Sequence, residues 1–424
     1  MMQKAQVFSL ERNTSVRNRL THSLEVADIG RTIARQVGEN FKEAGLASVE
    51  DIRSLEAIVE SACLMHDIGN PPFGHFGEEA VKQWFTKRAP KLFEESQGLL
   101  PMAHTDDRFY DFLHFDGNPQ GFRIVTKLHT ELDEFGLNLS YSTLLSTIKY
   151  PNLGRLPEKG LFSKKLGIFR SESDFYLEIC ESTGHKPKTR YFIVYLMELA
   201  DDICYCLSDI ADAFEKGIIE SRSFKDELKK VFRDENTDWN LIKDIIPEQP
   251  ITSFSHEVAI RVSRRCVAEA VTHFTSNFDQ FISGEAPEII DSIPMGKVLK
   301  CLKAFSRKYI YTAPEAHKIE IAGHKIVFGL LDHYGSLLSI KKDNFSHFIR
   351  ESEMPKNSGL DIEWRVFNQL SKRMLKSYRH NNLRKKSEDE WFSRCSLIVD
   401  YISGMTDQSA LRFYQNAMGI RLDH

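Results

Sequence analysis

The sequence predicts an all-α fold, mostly helix, with one small β-hairpin as its only strand structure. Three observations carry that expectation. Apolar residues recur at three- and four-residue spacing along much of the chain. Only one stretch, from Lys318 to Phe328 (IEIAGHKIVF after the lysine), reads as strand. With 42% hydrophobic and 27% charged residues in a 424-residue chain, there is ample material for a buried core, so disorder is excluded as the main state.

Taken in order, Val26, Ile29, Ile33, Ala34 and Val37 predict an amphipathic helix that follows His22. Ile52, Leu55, Ile58, Val59, Ala62 and Met65 predict a second, which delivers His66 near its end. The turn-rich run GNPPFG at 69–74 breaks it, and a new helix is expected to start near His75, carrying Glu78, Glu79, Val81 and Trp84. The longest stripe runs from 190 to 216 through Ile193, Met197, Ala200, Cys204, Leu207, Ala211 and Phe214, with Gly217 placed as a stop. Further helices are expected over 255–282, 296–306, 361–380 and 388–420, with loops at 151–160, 236–253 and 353–359. No internal repeat is visible.

The charge balance, 56 basic against 60 acidic residues for a net −4, gives no global attraction to nucleic acid. The basic runs Lys229-Lys230, Lys341-Lys342 and Arg384-Lys385-Lys386 read as solvated faces. The longest apolar stretch, Tyr191 to Met197, is far short of the roughly 20 residues of a membrane span. The opening MMQKAQVFSLERN lacks a secretory apolar segment. Seven cysteines without a C-x-x-C pair fit reduced, buried thiols in a cytoplasmic protein. A GxxxxGK(S/T) phosphate loop is absent, which weighs against an ordinary NTPase.

The chemistry lies elsewhere. His66-Asp67 is an imidazole–carboxylate pair at a helix end, beside the tight turn at Gly69. Asp201 sits inside an apolar helix, where a carboxylate costs several kcal/mol unless it is paired or binds a cation. Tyr205 and Asp209 follow one and two turns later, so three polar groups share one face; that face favours Asp201 over Asp202 as the functional acid. Two imidazoles with two carboxylates suit one divalent ion: Mn²⁺ or Mg²⁺ first, with Fe²⁺, Co²⁺ or Zn²⁺ also acceptable.

The order His22, His66-Asp67, Asp201 resembles the HD metal-dependent phosphohydrolase superfamily. RLTHSLEV, ACLMHDIGNPPFGHFGEEA, FDGNPQGFRIVTKL, YLMELADDICYCLSDIADAFEKG and DYISGMTDQSAL are more closely similar to its deoxyguanosine triphosphate triphosphohydrolase family. The resemblance is dense from about 17 to 217 and returns near 400–411. It implies that His22, His66, Asp67 and Asp201 hold the metal, and that His75 and Glu78 form a dyad that activates or orients the attacking water. It implies phosphate contact for Arg19, a place near the triphosphate for Lys149, and a place at the substrate wall for Asn118. Tyr205 and Asp209 would face the sugar and exclude a 2′-hydroxyl. The DGNPQ block begins with Asp116 where the family usually has Glu. Nothing after 217 receives a role in base recognition. His104, His114, His129, His256, His273, His317 and His324 belong to no motif and read as structural.

The expected division is therefore an HD core over 1–217 and a helical C-terminal region over 218–424 that completes the pocket and the oligomer interface. The expected activity is hydrolysis of a deoxynucleoside triphosphate, dGTP first, at the α-phosphorus, releasing inorganic triphosphate. The expected partners are the dNTP, further copies of the chain in a homo-oligomer (a hexamer), and a nucleotide or single-stranded DNA effector, with no membrane. Two other readings stand beside this one: an HD phosphatase of other nucleotide specificity, and a nucleotide- or single-stranded-DNA-regulated binding protein with little turnover.

Overall fold

A computed structural model describes residues 4, 16–98, 106–129, 135–220, 222–246, 256–351, 358–382 and 385–420. Among these there is no sheet, and an isolated bridge pairs Leu153 with Ile168. Among the described residues no helix is long and apolar enough to cross a membrane. All seven cysteines are buried free thiols.

Local sequence sets the first elements. Asn18 caps the first helix, Arg19–Glu43, by accepting from the Leu20 and Thr21 N–H groups, and Thr21 returns the bond to the Asn18 N–H. Ser48 and Asp51 form the same reciprocal cap on the second helix, Val49–Met65, which ends at His66. The third helix, Gly74–Lys87, has no side-chain cap; Phe73 and Gly74 enter it with φ of 61° and 53°. That left-handed entry is strained for a phenylalanine. It is held because the Phe73 N–H donates to Asp407 at 2.9 Å and the ring is buried.

The expected long stripe is the helix Phe192–Glu215, called here the central helix. Gly217, at φ 67°, follows its end, and the Ile218 N–H reaches back to the Ala213 carbonyl at 2.9 Å. The first, second and central helices cross closely at Gly30. A Cβ there would lie 2.5 Å from the Cys63 sulfur and 3.7 Å from the Ala200 Cβ. This crossing packs together the three helices that carry His22, His66 and Asp201.

The cores interleave the two halves of the chain. One joins the first, second and central helices to residues 224–310; another joins the third helix and residues 93–115 to residues 326–410. A third, smaller core lies between residues 122–148 and 168–180.

The hairpin expected over 318–328 is a correction: those residues lie inside a helix, Pro314–Gly335. Ile326, Val327, Leu330, Leu331 and Tyr334 are its buried face, a helical spacing that extends past the end of the strand-like run. Its glycines are close-contact points rather than turns. A Cβ would strike Phe73 from Gly323, Tyr414 from Gly329 and Trp84 from Gly335, each within 2.6 Å of the nearest atom. The helix expected over 296–306 is observed whole within Pro294–Tyr309, and three other expected helices are observed in pieces. The 255–282 segment breaks at Asn277, 361–380 breaks between Phe367 and Lys372, and 388–420 breaks between Ser403 and Asp407. Short helices such as Gly117–Arg123, within the DGNPQ block, carry too few turns to show a period. The loop at 353–359 and the end of that at 236–253 lie largely outside the described residues, as does His104.

Candidate metal and phosphate site

At the centre, His22, His66 and Asp201 each present one ligand atom, all within 4.8 Å of one another. His22 Nε2 is 3.1 Å and His66 Nε2 3.5 Å from Asp201 Oδ1. The His66 Nδ1–H donates to the Cys63 carbonyl at 2.7 Å, so its Nε2 lone pair faces the cluster. Nitrogen and carboxylate oxygen in this arrangement suit a borderline divalent cation. Asp67 stands at the edge. Its Oδ2 is 3.7 Å from His66 Nε2 and pairs with Arg19, while its Oδ1 accepts from the Asn70 side chain at 2.6 Å.

The electrostatics favour positive charge here. Burial works against ionised Asp201, but His66, the hydrogen bond from His22 and nearby Lys149 outweigh it and hold the carboxyl far below its usual range. Asp67 is depressed in the same way, with Arg19 as the main cation opposing burial. Burial would lower His22, yet the bond to Asp201 raises it.

The turn after Asp67 is fixed by backbone contact. A Cβ on Gly69 would lie 2.0 Å from the Gly117 carbonyl oxygen and 2.1 Å from the Gly121 nitrogen, so only glycine fits against the DGNPQ segment. Asp116 caps that segment's helix, accepting from both the backbone N–H (2.9 Å) and the side-chain amide of Asn118. Glu78 joins the same wall: its Oε1 accepts from the Gly117 N–H at 2.8 Å and its Oε2 meets His75 Nδ1 at 3.2 Å. Glu78 is buried and His75 largely exposed, so the dyad has a fixed carboxylate and a solvent-facing ring. The Glu78 hydrogen bond raises the His75 pKa, against a smaller opposing effect of burial.

Along the central helix, Asp201 and Asp202 part company. Asp202 pairs with Lys303, leaving Asp201 to the histidines. Two turns on, Tyr311 donates to Asp209 and contacts the Tyr205 hydroxyl at 2.5 Å. Burial pushes Asp209 up to about 7, partly offset by the Tyr311 bond, and its Oδ1 has no hydrogen-bond partner among the described residues. Lys149 Nζ lies 3.1 Å from Glu198 and 3.8 Å from Asp201.

The profile of the HD domain matches residues 19–100, and that of the phosphohydrolase-associated domain matches residues 364–416. The probable deoxyguanosinetriphosphate triphosphohydrolase of Pseudomonas aeruginosa is 34% identical over 98% of this chain and 89% of its own length. The deoxyguanosinetriphosphate triphosphohydrolases of Yersinia enterocolitica and Salmonella typhi are 32% and 31% identical, over 99% of this chain and 90% of theirs. The chain belongs to the deoxyguanosinetriphosphate triphosphohydrolase family. An HD domain implies a bound divalent metal ion, and the His22–His66–Asp201 cluster offers it a donor set.

The family's second matched segment has a physical job in this site. Asp400 accepts from Gln120 (2.9 Å) and chelates Arg123 (2.7 and 2.9 Å), both in the DGNPQ helix, and Asp407 holds Phe73. Lys4 ties the two sides together, donating to the carbonyls of Asn70 (2.6 Å) and Ser403 (2.7 Å). Glu198, Lys303 and Tyr311 stand outside the site residues expected from sequence. Glu198 left a signal, a lone acid directly after the longest apolar stretch. Lys303 and Tyr311 come from a distant helix and loop and left none.

Proposed function

We propose that this chain hydrolyses a deoxynucleoside triphosphate, dGTP first, to the deoxynucleoside and inorganic triphosphate. The observation that carries this reading is the near full-length similarity to proteins named for that reaction, combined with a His–His–Asp donor set at the HD position. A divalent cation, Mn²⁺ or Mg²⁺ in our reading, would supply Lewis acidity at the α-phosphate when held by His22, His66, Asp67 and Asp201.

The chain's own residues account for the rest. His75, with Glu78 behind its Nδ1, takes the proton of the attacking water at Nε2, and the buried carboxylate stabilises the imidazolium that results. Glu78 keeps its orientation through the Gly117 N–H. Arg19 uses one guanidinium nitrogen on Asp67 and offers its remaining donors to phosphate. Lys149 contributes charge on the other side of Asp201, and Asn118 forms part of the wall. Tyr205 and Asp209, joined by Tyr311, crowd the sugar, so a 2′-hydroxyl finds no room. In this reading residues 1–217 supply the HD core, and 218–424 complete the pocket through Tyr311 and form the interface of a homo-oligomer in the cytoplasm, open to a nucleotide or single-stranded DNA effector.

The test is a turnover panel of the four dNTPs and GTP, each with Mn²⁺ or Mg²⁺. We expect dGTP to be cleaved fastest and GTP at least about tenfold more slowly, the cost of a hydroxyl forced into an occupied space. Equal turnover of GTP and dGTP would refute the sugar assignment, and no turnover of any dNTP the function.

A further inference from the structure

Three other ionic groups hold Lys149 in place. Glu198 Oε1 is 3.1 Å from its ammonium on one side and Asp201 Oδ2 is 3.8 Å away on the other. Glu198 is buried and is itself clamped by Arg190, which is fully buried. The Arg190 Nε–H donates to the Lys149 backbone carbonyl at 3.1 Å, and its guanidinium lies 3.6 Å over the Phe162 ring. Arg190 therefore fixes both the backbone of Lys149 and the carboxylate that meets its side chain. Glu198 stands three residues before Asp201 on the central helix, so both acids share one face.

A lysine stem has four rotatable carbons, and its ammonium goes to the nearest anion. Without Glu198 that anion is Asp201, a group the metal needs. With Glu198 in place, the ammonium lies beside Asp201 at 3.8 Å, and of its three N–H donors not all are committed. The polyphosphate of a substrate is the anion whose chemistry fits the remaining donor.

We propose that Glu198 is a positioning residue for polyphosphate recognition: held by Arg190, it keeps the Lys149 ammonium off Asp201 and turned toward the phosphate tail. The inference rests on the proposed function of the site and names how its phosphate side is held.

The experiment compares the wild-type protein with Glu198→Gln, Lys149→Met and the double variant. It measures KM and kcat for dGTP, competitive inhibition by inorganic tripolyphosphate and by deoxyguanosine, and bound metal. Each single variant is expected to raise the tripolyphosphate inhibition constant by about tenfold or more, the worth of one charge-assisted hydrogen bond. Deoxyguanosine, which carries no phosphate, should inhibit all variants alike. KM should rise with the tripolyphosphate constant, and the double variant should be no worse than Lys149→Met. Should removing a carboxylate from buried Arg190 prevent Glu198→Gln from folding, Glu198→Asp keeps the charge but draws it back from Lys149, and a weaker tripolyphosphate affinity is again expected. An unchanged tripolyphosphate constant in both Glu198 variants would overturn the proposal, as would equal losses for tripolyphosphate and deoxyguanosine or multiplying effects in the double variant. If the wild-type protein neither cleaves a dNTP nor binds tripolyphosphate, the functional reading fails and this proposal with it.

Discussion

His75 and Glu78 divide one task between an exposed ring and a buried acid, and that division makes them separable by experiment from the metal cluster. His75→Ala is expected to lower kcat by about 10²–10⁴, the usual share of general acid–base catalysis, with bound metal unchanged. His66→Ala, by contrast, is expected to lose both metal and turnover while its circular dichroism remains helical. Metal analysis of the two purified variants reads the difference, and loss of metal from His75→Ala would move that histidine into the ligand set. The pH profile gives a second reading. Glu78 raises the His75 pKa by stabilising the protonated ring, so the base is lost as pH falls through that raised value. Glu78→Gln removes the anion, so the acid limb of kcat/KM should move to lower pH; a limb that stays in place would assign it to another group. Much of this site is legible from single residues. A carboxylate in an apolar stripe, a histidine at a helix end and a Gly-Asn-Pro-Pro turn each carry a cost that calls for an explanation. Partner choice is less legible: that Asp202 takes Lys303 and leaves Asp201 to the histidines depends on packing between the central helix and one about a hundred residues later.

At the level of elements, the Pro314–Gly335 helix shows where sequence pattern misleads. IEIAGHKIVF is rich in β-branched residues and holds a glycine, both strand or turn signals, yet tertiary burial overrides them. Gly323 is there so that the helix can rest on Phe73, the residue whose left-handed backbone opens the His75 helix. Two effects of Gly323→Ala oppose each other. Helix propensity alone favours alanine by about 1 kcal/mol. Against it, the new Cβ would sit 2.5 Å from the Phe73 ring and 2.6 Å from its Cβ, atoms too close to the backbone to swing aside. Overpacking of that kind costs about 1–3 kcal/mol and should win. Chemical denaturation is expected to show a net loss of stability, and turnover should fall because Phe73 orients the entry to His75. A variant more stable than wild type would mean that the contact at Phe73 is slack.

Over the whole molecule, the two halves are bound together by the site rather than merely joined by the chain. Asp400 and Asp407, near the C-terminal end, hold the DGNPQ helix and the turn before His75, so the 400–411 block and the N-terminal motifs meet in one site. The interleaving of the cores was not legible, because no local pattern announces that the third helix packs on residues 326–410. Multi-angle light scattering is expected to give six times the 48.9 kDa chain mass, and a monomer at working concentration would contradict it. Attack at the α-phosphorus by an HD site fixes the products of dGTP. Phosphorus NMR of the completed reaction, with chromatography of the nucleoside, should show inorganic triphosphate and deoxyguanosine in equal amounts, with no build-up of dGDP. Orthophosphate with dGDP would place the attack on the γ-phosphorus, and pyrophosphate with dGMP would show that the nucleoside 5′-oxygen is not the leaving group; either result would overturn this reading.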